Sequence, residues 1–140
     1  MIPTIVTNNP RVERELFGQD KIEIKYFADA SQEEILRFAR DRIHLGAKLI
    51  IHPMMGRIKP HETPYKSVFL DVPSKKETEN GNLNLDFESI TIIEDSISET
   101  SKLLNNTYMI KYDKNNLSNM EDLAYIDYLL VSSGIEEYLR

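Results

Sequence analysis

Residues Ala47–Ile51 read AKLII, and the fold turns on what that run is. It is followed by HPMMGRIKPHETPYK (His52–Lys66) and then by SVFLDV (Ser67–Val72). A short, mostly apolar run suits a strand covered on both faces, so Ala47–Ile51 is predicted to be a buried central strand. Ser67–Val72 is predicted to be a fourth strand. The segment between them carries three prolines (Pro53, Pro60, Pro64), two histidines, Gly56 and a local excess of cations: Arg57, Lys59 and Lys66 against Glu62. It is the least scaffold-like part of the chain.

Upstream, Pro3–Thr7 is a β-branched run ending in Asn8-Asn9-Pro10. Asn9 suits a helix N-cap and Pro10 the first helical position, where its missing N–H costs nothing. Val12, Leu16 and Phe17 continue that helix, and Gly18 can end it. Lys21–Phe27 alternates apolar with charged residues, the pattern of a strand near a sheet edge. Ser31 and Glu34 form a capping box, Ile35, Ala39 and Ile43 recur at helical spacing, and Gly46 suits a left-handed C-cap.

Downstream, Pro73–Leu85 is polar and reads as an exposed connection. Asp86 can cap a long helix in which Phe87, Ile90, Ile93, Ile97 and Leu104 share a face. Thr107–Tyr112 alternates and reads equally as an edge strand or as extended chain. Ser118 with Glu121 gives a second capping box. The following helix pattern, Met120 to Val131, has one polar intruder, Asp127. Gly134 is expected to break that helix before a last amphipathic turn.

Strands alternating with helices imply right-handed βαβ units. The predicted fold is a single α/β domain over residues 1–140 in three layers. Its sheet is mainly parallel, of order 2-1-3 plus a fourth strand, with helices on both faces and a helical C-terminal part. In such a sheet the ligand crevice lies beyond the carboxyl ends of strands one and three, where Thr7-Asn8-Asn9 and the His52–Lys66 loop would meet. The helix starting at Pro10 offers free N–H groups, Arg57 and Lys59 offer charge, and His52 and His61 offer donors near neutral pH. Gly56 allows close backbone approach. Thr7, Asn8, Asn9, His52, Gly56, Arg57, Lys59, His61, Thr63 and Tyr65 are therefore the candidate ligand-binding residues, facing a small anion. The plain alternative is a rigid loop with solvated cations, and Asn capping alone accounts for at least one of the two asparagines.

The totals narrow the classes. With 140 residues, 41% hydrophobic and 29% charged, the chain can hold one core. A net charge of −6 argues against a general nucleic-acid partner. No apolar run is long enough to span a membrane, and the first residues lack a secretory pattern, so a cytoplasmic location is expected. The absence of cysteine removes disulfides and thiol chemistry. No Walker loop, GxGxxG or GxSxG occurs, and no cofactor is expected. His52, His61 and Glu62 have no familiar zinc spacing, and no metal is expected either.

The segment His52-Pro53-x-x-Gly56-x-Ile58-Lys59-Pro60-x-Glu62-Thr63-Pro64-Tyr65-Lys66 resembles a signature of the GrdX family, as does the opening Ile5-Val6-Thr7-Asn8-Asn9-Pro10. These are small proteins encoded beside glycine, sarcosine or betaine reductase genes in anaerobic bacteria. The resemblance covers most of the chain; the loop motif is the more specific part. It implies an accessory or regulatory role near an amino-acid reductase and supplies no reaction. Thr7, Asn8, Asn9, Pro10, His52, Pro53, Gly56, Lys59, Pro60, Glu62, Thr63, Pro64 and Tyr65 match its positions; Arg57 and His61 are not placed by it. Three functions compete: binding of a small anionic metabolite, phosphoryl or acyl transfer using His52 and Lys59, and docking of a glycine-reductase-type protein partner on the acidic C-terminal helices. Whether the chain is an enzyme is left open.

Overall fold

A computed structural model of the chain describes residues 1–79, 81, 84–106 and 110–140. The elements run β1 (Ile2–Thr7), α1 (Pro10–Leu16), β2 (Glu23–Tyr26), α2 (Gln32–His44), β3 (Lys48–Leu49), a 3-10 turn (Pro60–Glu62), β4 (Ser67–Val72), α3 (Lys75–Glu79), α4 (Phe87–Leu104) and α5 (Leu117–Leu139).

The sheet order is β2-β1-β4-β3. Only β1 and β2 pair in parallel; β4 is antiparallel to both β1 and β3. This corrects the predicted 2-1-3 parallel order. The run that is covered on both faces is SVFLDV, not AKLII. Val68 and Leu70 point into one core and Phe69 into the other, all three fully buried. β4 therefore takes the centre and pairs with β1 along its whole length, from Ile2 opposite Val72 to Thr7 opposite Ser67. Of Ala47–Ile51 only Lys48 and Leu49 form strand, at the sheet edge. The proline-rich loop is consequently a wide connection between antiparallel neighbours rather than a crossover.

Helices do cover both faces. The Val6, Val68 and Leu70 side of the sheet packs against Ile35, Leu36, Ala39 and Ile43 of α2 and Ile93 of α4. The Ile5 and Phe69 side packs against Val12 and Leu16 of α1 and Val131 and Ile135 of α5. Period-two alternation along β1 and β4 feeds these two cores from adjacent residues.

Most of the helix-end signals held. Asn9 caps α1 by accepting from the Arg11 N–H at 2.9 Å, and Ser31 and Glu34 close a full capping box on α2. Gly46 has φ of 103°, the left-handed geometry that favours glycine after a helix. β2 is an edge strand as its charged face suggested. Asp86 caps α4, accepting from the Ser89 N–H at 3.2 Å, but Phe87 is exposed rather than in the core stripe. Within the exposed Pro73–Leu85 connection, Lys75–Glu79 forms a short helix. Thr107–Met109 lie outside the described residues, and Ile110–Tyr112 form no strand.

Two expectations about α5 are corrected. Its cap is Asn116, which accepts from the Asn119 N–H at 3.1 Å, so Ser118 lies inside the helix. Gly134 does not break it, because α5 continues to Leu139. Gly134 is where the helix comes down on the sheet: a Cβ there would stand 2.0 Å from Ile51 Cδ1 and 2.8 Å from Cγ1. Gly134→Ala is expected to destabilise by about 1–2 kcal/mol, although alanine should gain roughly 1 kcal/mol in helix propensity. Ile51→Val removes the clashing Cδ1 and should recover part of that loss in a denaturation double-mutant cycle. Independent, additive effects would show that the two residues do not pack as described.

Candidate functional site

The geometry begins with a swap of strand order that keeps one predicted meeting in place. β1 ends where β4 begins, so Asn8 faces the end of the loop. Its Nδ2 donates to the carbonyls of Ala30 at 2.9 Å and Pro64 at 3.0 Å, and its Oδ1 accepts from the Lys66 N–H at 2.9 Å. Gln32, buried at the start of α2, donates through Nε2 to the carbonyls of Pro60 (2.8 Å) and Thr63. Glu62 accepts from the Lys59 N–H at 3.0 Å. The second half of the loop is thus stapled to the scaffold by amide side chains that pair with its backbone carbonyls and the Lys66 N–H.

Thr7 and Asn9 belong to a second network. Thr7 Oγ1 accepts from the Asn9 N–H at 2.9 Å and shares a hydrogen bond with Ser67 Oγ at 2.7 Å. Ser67 Oγ also bonds Asp127 Oδ2 at 2.7 Å. Asn9 Nδ2 donates to the same Oδ2 at 2.9 Å and to the Ala124 carbonyl at 2.8 Å. Asn9 is fully buried. Asp127, the polar intruder in the α5 stripe, is therefore held from below by two donors.

Above this network lies a cavity of about 50 Å³ between the loop, β4 and α5. About 10–15 Å³ of such space already accommodates one water, so a small molecule of a few heavy atoms fits. Ile51, Pro53, Ile58, Phe69, Leu130 and Val131 form its apolar wall; His52, Thr63, Tyr65, Lys66, Ser67 and Asp127 supply the polar groups. Gly56, with φ of 110°, places the loop backbone so close to α5 that a Cβ would stand 2.9 Å from Leu130 Cδ1. The loop is thereby seated on α5 and roofs the cavity.

Lys66 and Asp127 are its two charged residues, both partly buried. Burial lowers the Lys66 amine below its ordinary range, partly offset by attraction to Asp127. Burial raises the Asp127 carboxyl, partly offset by the Asn9 and Ser67 hydrogen bonds and by Lys66. Lys66 Nζ donates to the Pro53 carbonyl at 2.7 Å. The two groups attract each other without a hydrogen bond between them, and both line the cavity. Lys66 thus keeps two N–H donors beyond its Pro53 contact, and both hydrogen bonds to the Asp127 carboxyl fall on Oδ2, leaving Oδ1 free of them.

The structure divides the candidate residues. His52, Thr63 and Tyr65 line the cavity, His52 at its exposed rim with Nδ1 accepting from the Met54 N–H at 3.1 Å. Thr7 and Asn9 do not line it but hold Ser67 and Asp127, which do. Asn8 lies on a separate groove of about 330 Å³ beside Asp29, Ser31 and Tyr112. Arg57 and Lys59 are exposed on the loop and do not reach the cavity, and Gly56 contributes backbone only. His61 is buried with Nδ1 lacking a partner among the described residues, in the 3-10 turn that packs on α4.

Lys66, Ser67 and Asp127 were not among the residues assigned to ligand binding. The signal for Asp127 was present as a lone carboxylate within an apolar stripe; for Lys66 it was a cation directly preceding a buried strand. Among the described residues no group of three or more His, Asp or Glu is placed to hold a metal, and no helix is long and apolar enough to cross a membrane.

No curated protein and no solved structure matches the chain. A protein-family model described as GrdX-like protein matches residues 4–136, which include most of β1, the other three strands, the loop and nearly all of α5. The chain belongs to the GrdX-like protein family.

Proposed function

We propose that the chain is a binding module for a small anionic metabolite, held in the cavity under the 52–66 loop, and that it serves an amino-acid (glycine, sarcosine or betaine) reductase system as an accessory or regulatory factor. The observation that carries the reading is Lys66: a partly buried, desolvated ammonium on the cavity wall with one hydrogen bond, to the Pro53 carbonyl. A small carboxylate or phosphate restores the solvation that burial removes, and Asp127, biased toward its neutral acid, meets the ligand as a hydrogen-bond donor. His52 at the rim supplies a further donor.

Thermal-shift titration with acetate, phosphate, acetyl phosphate and glycine tests this. At 100 times Kd a ligand should add about 2.7 kcal/mol of stability. Lys66→Met, of similar length and without charge, should abolish the response while circular dichroism stays native. Stabilisation that survives Lys66→Met removes the site from the cavity. The transfer-enzyme reading has less behind it, because Lys59 lies outside the cavity and His52 is committed through Nδ1 to the loop backbone.

Docking of a reductase subunit has its own observation. Tyr125, Ile126, Leu129 and Leu130 are exposed on α5, beside the exposed Met55 of the loop. Charge reversal at Glu136 and Glu137, on the same helix, should weaken capture of that subunit if this face is used.

A further inference from the structure

We propose that Lys66 captures a small aldehyde or 2-oxo acid as an imine, with Asp127 as the acid that removes the carbonyl oxygen as water. The inference rests on the reading of the cavity as the ligand site, and adds the chemical class of the ligand.

The carrying observation is an amine and an acid that line one cavity with no hydrogen bond between them. Lys66 is fixed by one N–H on the Pro53 carbonyl at 2.7 Å, which orients the nitrogen and leaves the rest of it toward the cavity it lines. Asp127 is fixed through Oδ2 by Asn9 at 2.9 Å and Ser67 at 2.7 Å, with Oδ1 outside those bonds. A salt bridge for stability alone would bring the two groups into contact. Here both line one cavity, and the hydrogen bonds of neither reach the other.

A carbonyl group presents both ends needed. Its carbon accepts the amine lone pair and its oxygen accepts a proton. Burial shifts each partner toward its neutral form, so the free-amine fraction of Lys66 is the nucleophile and the protonated fraction of Asp127 is the acid. The amine adds to the carbonyl carbon, and proton transfer from nitrogen to oxygen gives a neutral carbinolamine. Asp127 then protonates the hydroxyl, the C–O bond breaks, and water leaves. Amine, acid and carbonyl compound have become protonated imine, carboxylate and water, with charge conserved. The product is a pair of opposite charges lining the same cavity. Lys59, exposed and outside the cavity, lacks both the burial and an acid lining the same space.

Reductive trapping of the full chain with cyanoborohydride tests this, using glyoxylate and acetaldehyde, followed by peptide mapping. Lys66 should gain a carboxymethyl or ethyl group at least about tenfold faster than Lys59 or other exposed lysines. This needs no variant and cannot be confused with misfolding. Asp127→Asn should slow modification of Lys66 by about tenfold or more, the loss of a positioned acid. A purely electrostatic role for Asp127 has the opposite sign, because removing its charge frees more of the amine and speeds modification. Even labelling of all lysines, or faster labelling in Asp127→Asn, overturns the proposal. If acetate stabilises the protein through Lys66 but no adduct forms, the imine fails and the binding reading stands. If neither occurs, both fail.

Discussion

Replacing Asn9 with alanine is expected to lower unfolding free energy by about 3–5 kcal/mol. The side chain is fully buried and makes three hydrogen bonds at once. Oδ1 caps α1 through the Arg11 N–H, a contact that by itself is worth roughly 1 kcal/mol. Nδ2 donates to the Ala124 carbonyl and to Asp127 Oδ2, both on α5. Alanine leaves a buried carbonyl and a desolvated carboxylate without that donor, and adds a void. Because Asn9 joins the end of β1 to α5, the loss should appear as global unfolding in urea, not as local fraying. Asn9→Asp keeps the size and the cap but sets a second carboxylate where Nδ2 now stands 2.9 Å from Asp127. It should also be strongly destabilising, more so at neutral than at acid pH. An Asn9→Ala protein with an unchanged denaturation midpoint would contradict the network.

Asp127 separates a hydrogen-bonding role from a charge role. Asp127→Ala deprives Asn9 Nδ2 and Ser67 Oγ of their common acceptor and is expected to cost about 2–4 kcal/mol. Asp127→Asn keeps an acceptor oxygen in place and removes the charge that burial opposes, so it should change stability by less than about 1 kcal/mol at acid pH. The pH dependence has a definite sign. The folded carboxyl titrates above its ordinary value of 3.8, so as pH rises past that value the unfolded chain loses its proton first. Wild type therefore loses stability relative to Asp127→Asn from about that pH upward, until the folded group has also ionised. Lys66 adds in the same direction. Its amine is lowered from 10.5, and without Asp127 it falls further, so the Asn variant sheds that burden at lower pH. The difference in unfolding free energy, Asn variant minus wild type, should rise from pH 4 to pH 8. A flat or falling difference would show that Asp127 is not desolvated in the folded state.

These two residues also show how a site forms from parts that read differently in isolation. Asn8 and Asn9 were grouped with the loop as ligand contacts, and they do meet its neighbourhood. Yet their amides are consumed in bonds to backbone and to Asp127. The cations that looked most available, Arg57 and Lys59, are the ones that water can solvate. The cation that matters physically is Lys66, which is partly desolvated where the loop ends against β4.

What the chain reveals without coordinates is whatever depends on neighbours a few residues away. Asn9-Pro10, Ser31 with Glu34, Gly46 and Asp86 each announce a helix end, because capping joins a side chain to an amide within one turn. Alternation in Ile5-Val6 and in Val68-Phe69-Leu70 announces strands that serve two cores, and the loop signature announces the family. Strand order and direction were decided only in three dimensions. Hydrophobic burial has no direction, so an apolar run does not state which partner it pairs with or whether that partner runs with or against it. β4 took the centre because it alone could bury side chains on both faces along β1, and AKLII was left at the edge. The Lys66–Asp127 cavity follows from that choice, since it joins residues far apart in sequence that only the packing of α5 on β4 brings to one cavity.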